Sequence, residues 1–368
     1  MRLYIYQQDN WTDFVWHKEA VLLKLMPLRH KQGELMGKMQ MLGFDLRQEA
    51  LLETLTLDVL KSTEIEGEHL NLEQVRSSIA RHLGISMLGL VPSDRHVDGV
   101  VEMMLDATQQ YDTPLSINRL FDWHAALFPT GRSGMYRITV GDWRKDEKGA
   151  MQVVSGGFGK EKVHFQAPPA ESLQAEMTNF IDWFNQKDDV DATLKAAIAH
   201  LWFITIHPFD DGNGRIARAI ADMQLSKAES NTQRFYSMSA QIQLQRNKYY
   251  DILETTQKGN SDITGWLLWF LDCLNAALNS TELTLNKVLF KAKFWQIHAK
   301  TTFNDRQKLL INKLLDGFEG KLTSSKWAKI AKCSTDTALR DIQDLIQKAV
   351  LMKELSGGRS TNYELKKP

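Results

Sequence analysis

The chain has 368 residues, enough for two or three domains, with 43% hydrophobic and 24% charged residues and a formal net charge of zero. Such a balance excludes action on nucleic acid or a membrane through global charge, and leaves only local patches. The two cysteines, Cys273 and Cys333, are far apart and form no CxxC pair, which excludes a disulfide framework and a thiolate zinc site and fits a reducing compartment.

The N-terminal run MRLYIYQQDNW lacks a basic region followed by an apolar core, so it does not read as a secretory signal. The most apolar stretch, Gly265 to Leu274, is too short to span a bilayer. A cytoplasmic protein with no membrane segment is expected, and nothing in the sequence decides whether it forms a homo-oligomer.

Residues 12 to about 110 read as helices. Val21, Leu22, Met26 and Leu28, then Leu35, Met36 and Met39, recur at helical spacing, with Pro27 predicted as a kink or break. A second helix is predicted from Arg47 to about Glu64, with Leu51, Leu52, Leu55, Leu57, Val59 and Leu60 as its apolar positions. It ends near Gly67, a C-cap glycine. Asn71 caps a third helix containing Val75, Ile79 and Leu83.

From Thr113 the texture changes. A helix over 117–127 leads into a loop-rich stretch, 131–169. Within it, Met151 to Val154 and Lys162 to Gln166 flank Ser155-Gly156-Gly157-Phe158-Gly159, which predicts a β-hairpin with a glycine turn. Helices are predicted over 171–185, 194–206, 215–226, 249–257 and 264–278, followed by a helical connector at about 283–300.

One segment interrupts two helical patterns. The chain leaves the apolar run AAIAHLWFITI, passes through His207-Pro208-Phe209-Asp210-Asp211-Gly212-Asn213-Gly214, and enters a helix at Arg215. Gly-Asn-Gly at a helix start turns backbone N–H groups outward at the positive end of the helix dipole, which makes an anion site. Arg215 and Arg218, three apart, share one face of the first turn and suit a polyphosphate. Asp211 offers a hard oxygen of the kind Mg²⁺ uses when phosphates and water complete its shell. His207 is the one side chain here that takes a proton near neutral pH without a large shift.

The segment resembles the signature of the Fic family, His-x-Phe-x-Asp/Glu-Gly-Asn-Gly-Arg-x-x-Arg, with every fixed position matched. Residues 113 to 275 also resemble a Fic domain, whose fold is all-helical with a small β-hairpin flap. The resemblance implies transfer of AMP from ATP to a Ser, Thr or Tyr hydroxyl of a target protein. It makes His207 the general base, Asp211 the holder of Mg²⁺, Gly212, Asn213 and Gly214 the phosphate cradle, and Arg215 and Arg218 the clamps on the β- and γ-phosphates. The kinase-like Doc branch carries Ala and Lys where this chain has Gly212 and Gly214, so the two glycines favour nucleotidyl over phosphoryl transfer.

The hairpin 151–166 takes the place of the flap, whose edge pairs with an extended target segment by β-augmentation. Arg246-Asn247-Lys248-Tyr249-Tyr250 resembles the segment whose tyrosines line the adenine pocket, although Gln257 stands where relatives often carry Asn. Read alone, Tyr249 and Tyr250 are core aromatics. Ser62-Thr63-Glu64-Ile65-Glu66-Gly67 resembles the family's inhibitory motif, which implies that Ser62, Glu66 and Gly67 form a brake in which Glu66 pairs with Arg218. Glu64 and Glu68 flank it, but only Glu66 has the motif spacing.

Residues 320–368 hold ten Lys or Arg against five Asp or Glu. Trp327 to Ala331, a turn at Cys333-Ser334, and Thr337 to Ile346 read as helix–turn–helix. Val350 to Met352, Gly357-Gly358-Arg359 and Asn362 to Leu365 read as a wing. This resembles a winged helix, with Trp327, Ile330, Leu339 and Ile342 as core positions and with DNA or a protein as partner; Arg340 or Lys348 would lie near phosphates.

The expected architecture is mainly α, in three parts: a helical N-terminal region over 1–112 with the brake, a Fic core over 113–280, and a winged helix over 288–368. The expected function is a self-inhibited protein adenylyltransferase using ATP and Mg²⁺. The alternatives are AMP removal, in which Glu66 orients a water, and a DNA-binding regulator whose Fic core senses nucleotide.

Overall fold

A computed structural model describes residues 4–147, 149–156, 162–187, 189–318, 320–354 and 361–366, with the side chains of 282–284 excepted. The hairpin turn Gly157-Phe158-Gly159 and the segment Gly357-Gly358-Arg359 lie outside the described residues. The fold is mainly α. The helices run α1 (Lys18–Gln40), α2 (Phe44–Ile65), α3 (Leu72–His82), α4 (Arg95–Gln109), α5 (Ile117–Leu127), α6 (Leu173–Asn185), α7 (Ala192–Ile206), α8 (Asn213–Glu229), α9 (Met238–Leu244), α10 (Arg246–Gln257), α11 (Thr264–Ile297), α12 (Asp305–Leu315), α13 (Ser324–Ile330) and α14 (Thr335–Gln347). Three antiparallel pairs accompany them: β1 (Arg132–Ser133) with β2 (Tyr136–Arg137), β3 (Gln152–Ser155) with β4 (Lys162–Gln166), and β5 (Leu351–Lys353) with β6 (Tyr363–Leu365).

Helix α7 is the centre of the molecule. Its residues from Thr193 to Ile206 are all buried, as expected of a helix apolar on every side. It packs against α8, which is buried over most of its length. Around this pair α2, α4, α6 and α11 close one apolar core, and a second cluster gathers residues 294 to 365. The two are joined by α11, which carries Val288 in the first cluster and Phe294 in the second.

Several elements differ from the sequence reading. Pro27 does not break α1, which continues through it to Gln40. The buried face is Val21, Leu25, Leu28, Gln32, Leu35 and Met39, so Leu22 and Met26 are exposed and Pro27 stands on the water side. There the carbonyl freed by the missing N–H, that of exposed Leu23, is on the solvent side rather than in the core. The helix predicted to end at 278 and the connector after it form one helix of 34 residues. In the C-terminal cluster Trp327 and Ile342 are buried, but Leu339 is exposed and Ile330 only partly covered. The spacing 338, 342, 345 faces inward instead, through Ala338, Ile342 and Leu345.

Candidate active site

The loop between α7 and α8 is set by two backbone constraints. His207 caps α7 in the left-handed region at φ 53°. A residue before proline is disfavoured from continuing a helix, and here Pro208 follows. At the other end Gly212 caps α8 at φ 83°, and a Cβ there would lie 2.9 Å from the Phe128 ring, so only glycine fits. Asn213 folds its side chain back: Nδ2 donates to Phe209 O at 2.8 Å and Oδ1 accepts from Phe209 N at 3.0 Å. The Asn213 side chain is therefore spent on closing the loop, and only its backbone N–H remains for an anion. The first helical bond is Ile216 N to Gly212 O, so the N–H groups of 213, 214 and 215 are the unused donors that open every helix.

His207 is held by its backbone and its ring. Arg144 Nε donates to His207 O at 2.8 Å, and Arg144 N donates to Pro208 O at 2.9 Å. Nδ1 of His207 lies 3.2 Å from Ile204 O. A carbonyl only accepts, so Nδ1 carries the proton and Nε2 keeps its lone pair. Burial lowers the ring's pKa to about 4, with the Ile204 bond acting in the opposite direction. The imidazole is therefore neutral, with its basic nitrogen free.

Asp211 is oriented from three sides. Ser133 Oγ donates to Oδ2 and Gly212 N to Oδ1, each at 2.5 Å, while His124 Nε2 lies 3.2 Å from the Asp211 carbonyl. Gly141 N donates to His124 Nδ1, which fixes the tautomer that donates through Nε2. Burial lowers the His124 pKa to about 4. No group of three or more His, Cys, Asp or Glu suited to a metal exists among the described residues. A lone, fixed, partly exposed carboxylate beside an anion site fits Mg²⁺, which dehydrates reluctantly and takes one or two carboxylates with phosphate oxygens.

Both arginines are buried, and each keeps an unused donor. Arg218 gives Nε to Ser62 Oγ at 2.9 Å and Nη2 to Ser62 O at 2.8 Å and to Glu66 Oε1 at 2.7 Å. The Ser62 carbonyl is available because Glu66 N–H bonds Thr63 O as α2 ends. Nη1 of Arg218 is buried without a hydrogen bond, and a Cβ on Gly214 would lie 3.2 Å from it. The same Cβ would lie 2.1 Å from Glu66 Oε1, so the Glu66 carboxylate occupies the space that a side chain at 214 would fill. Arg215 lies over the Phe128 ring, gives Nη1 to Glu68 Oε2 at 3.1 Å, and leaves Nε buried without a partner.

The end of α2 is pinned from α10. Arg246 Nε donates to Ile65 O at 2.6 Å, and Tyr250 Oη donates to the same carbonyl at 3.2 Å and lies 3.4 Å from Glu66 Oε2. Gly67 follows at φ 86°, the left-handed exit that the sequence assigned to it. Tyr249 is buried, 2.9 Å from His200 Nε2; it backs Arg218 instead of opening onto a pocket. Gln257 is buried too, with Nε2 on Thr205 Oγ1 at 3.3 Å.

The hairpin β3–β4 is tied to α10 through a relay: Ser155 Oγ lies 2.6 Å from His164 Nε2, and His164 Nδ1 lies 2.5 Å from Glu254 Oε2. Phe165 packs edge-on against Tyr4 and Tyr6, so the N-terminal residues underpin this hairpin. Val154 and Val163 stay exposed.

Residues 114–225 match the Fic/DOC family, and residues 4–85 match a domain of unknown function, DUF4172. The chain carries a Fic domain over residues 114–225. Its Fic domain, α5 to α8, holds the whole loop from His207 to Arg218. Protein adenylyltransferase Fic of Aedes aegypti is 26% identical over 232 residues, covering 60% of this chain and 40% of that protein. Protein adenylyltransferase fic-1 of Caenorhabditis elegans is 28% identical over 178 residues, covering 48% and 32%. This chain thus spans less than half the length of those curated relatives.

Among solved structures, a Fic family protein from Desulfovibrio desulfuricans G20 superposes with a TM-score of 0.51 at 20% identity, covering 93% of this chain and 96% of that one. Fic-1 of C. elegans, residues 134–508, gives 0.50 at 19%, covering 73% and 74%. At such identity the likeness is one of fold.

Arg144, His124 and Ser133 were missed by sequence reasoning. Each lies outside the motif and acts through one or two hydrogen bonds to it, and β1–β2 is too short to leave a periodic signal. No helix among the described residues is long and apolar enough to cross a membrane.

Proposed function

We propose that this protein transfers AMP from ATP to a hydroxyl of a target protein and that Glu66 restrains it. The observation that carries the reading is the free Nε2 of His207 set beside a helix N-terminus with two buried arginines, each with an unpartnered N–H. Nε2 accepts the proton of the target Ser, Thr or Tyr hydroxyl. The oxygen bonds to the α-phosphorus, the bond to the β-phosphate breaks, and pyrophosphate leaves. Arg215, Arg218 and the N–H groups opening α8 meet the developing charge, since such transfer needs positioning and neutralisation more than covalent catalysis. Asp211 would hold Mg²⁺, which supplies further charge neutralisation when bound.

Glu66 on Arg218 Nη2 removes part of one clamp. The free edges of the hairpin over 151–166, with exposed Val154 and Val163, offer a strip for an extended target segment. At the C-terminal unit the outward face of α14 carries Leu339 and Arg340, with exposed Lys329 and Lys332 before it. We read it as a contact surface for DNA or protein.

The test uses ATP labelled on the α- or the γ-phosphate, Mg²⁺ and a cell extract. Label is expected on protein from the α-position only, and none with His207→Ala. Label from the γ-position would identify a phosphoryl transfer, and equal labelling by His207→Ala would remove His207 from the mechanism. If AMP removal dominates instead, a pre-adenylylated target loses label with wild-type protein and keeps it with Glu66→Gly.

A further inference from the structure

Glu66 is one of two carboxylates delivered by the same turn. Gly67 at φ 86° reverses the chain after α2, so Glu66 and Glu68 leave it toward the two motif arginines, which stand three residues apart on α8. Glu66 reaches Arg218 and Glu68 reaches Arg215. Glu64, the other neighbour, turns away to Lys61 at 2.6 Å. The turn is internally bonded, with Gly67 N on Glu64 O and Glu68 N on Thr63 O, and Arg246 holds it from outside. The two carboxylates are therefore presented together.

We infer that Glu68 is a second brake residue, which occupies Arg215 while Glu66 occupies Arg218. The inference rests on the reading of Arg215 and Arg218 as phosphate clamps. Arg215 is 1% exposed at its side chain and cannot turn to a new partner in solvent. Its guanidinium is confined between the Phe128 ring, Asp211 at 3.9 Å and Glu68 at 3.1 Å. With Glu68 in place the local charge at this arginine is already matched by carboxylates, and an incoming polyphosphate meets that negative charge rather than a bare cation. Glu68 itself is 41% exposed, so solvent awaits it when it leaves Arg215. The brake is then a two-toothed turn, and loss of Glu66 alone leaves half of it engaged.

The two teeth predict a response that depends on phosphate. Affinities for ATP and AMP are measured by calorimetry with Mg²⁺ for wild type, Glu68→Gln, Glu66→Gly and the double variant. Glu68→Gln keeps the shape and removes the charge, and Glu68→Ala serves as a second probe if the amide retains the contact. Glu66→Gly/Glu68→Gln is expected to bind ATP about tenfold more tightly than Glu66→Gly, the weight of one charge-assisted hydrogen bond, with AMP affinity changed by less than about twofold. Tighter binding of both nucleotides alike would mean a general structural effect and overturn the inference. Unchanged or weaker ATP binding would overturn it too, the latter by making Glu68 a support for Arg215. If adding Arg215→Ala to Glu66→Gly/Glu68→Gln leaves ATP binding unchanged, the clamp reading itself fails, and the Glu68 inference falls with it.

Discussion

Replacing Glu66 with Gly removes one of three hydrogen bonds made by a nearly buried guanidinium. Arg218 keeps Nε on Ser62 Oγ and Nη2 on Ser62 O, so the group stays in place while Nη2 regains a free direction beside the already unpartnered Nη1. A hydrogen bond to a charged partner is worth roughly 1.5–3 kcal/mol. The Glu66 side chain is 27% exposed, which places this one toward the lower end, about 1.5–2 kcal/mol. If that free energy opposes phosphate at Arg218, removing it raises transfer by roughly 10- to 30-fold, at about 1.4 kcal/mol per decade. Glu66→Gln, which keeps an acceptor for Nη2 but no charge, is expected between wild type and Glu66→Gly. The assay is kcat/KM for transfer from α-labelled ATP to protein, at fixed Mg²⁺. The reasoning is refuted if Glu66→Gly transfers no faster than wild type while Arg218→Ala abolishes transfer, because the clamp would then matter and the pair would not restrain it.

The free nitrogen of His207 makes a pH profile the next test: with a pKa of about 4, the base is neutral throughout the ordinary range. The His207-dependent limb of transfer should stay flat above about pH 5 and fall only below it; a limb near pH 6.5 would contradict the desolvated ring. Ser133→Ala removes the hydroxyl on Asp211 Oδ2 and is expected to raise the Mg²⁺ concentration for half-maximal nucleotide binding several-fold, by analogy with the 10- to 100-fold effects of losing outer partners at metal sites. Calorimetric titration in the presence of ATP reads it directly, and an unchanged midpoint would free Asp211 from Ser133. For stability, burial lowers His124 and His207 to about 4 and His200 to about 3. The unfolded chain therefore binds more protons below about 6.5, and stability falls as pH drops from there toward these values. The urea midpoint should decline over that window, and His200→Phe should flatten the decline.

The loop from His207 to Arg218 was legible because its parts are contiguous: a proline, two glycines and two arginines at fixed spacing each carry a local backbone or charge meaning. Residues that act across distance left no such trace. Arg144 reaches the His207 carbonyl from 63 residues away, and Glu68 reaches Arg215 from 147. The spacing of the inhibitory motif singled out Glu66 and set Glu68 aside, because what gives Glu68 a partner is the left-handed turn at Gly67 and the position of α8, neither of which is periodic. At Asn213 and Tyr249 residue type did not disclose the side-chain partner: burial turns the amide onto Phe209, leaving the backbone N–H for an anion, and sets the phenol against His200. In α1, hydrophobicity at 22 and 26 suggested a buried face that packing against α11 placed one step around the helix.

The position of α2 also decides what kind of motion can release the site. Asp58, in the middle of the helix, accepts from Ser237 Oγ at 2.6 Å and Ser239 N at 3.2 Å and lies 3.7 Å from Arg234, all buried. At the N-terminal half, Glu49 and Glu53 hold Arg76, and Glu49 also holds Lys291 of α11, which bonds Asp316 beyond α12. Withdrawing the whole helix would strand the buried charges of Asp58, Arg76 and Arg234, and breaking a buried pair by removing one partner costs roughly 3–5 kcal/mol. That exceeds the estimate for the Glu66 contact itself. Release is therefore cheapest at the turn: Glu66, Gly67 and Glu68 change course after Ile65 while α2 stays seated. The bonds that oppose this are those of Arg246 and Tyr250 to the Ile65 carbonyl. Tyr250→Phe should accordingly raise transfer in the presence of Glu66 and have little effect once Glu66 and Glu68 are both gone, whereas an equal effect in both backgrounds would mean that Tyr250 acts on transfer other than through the turn.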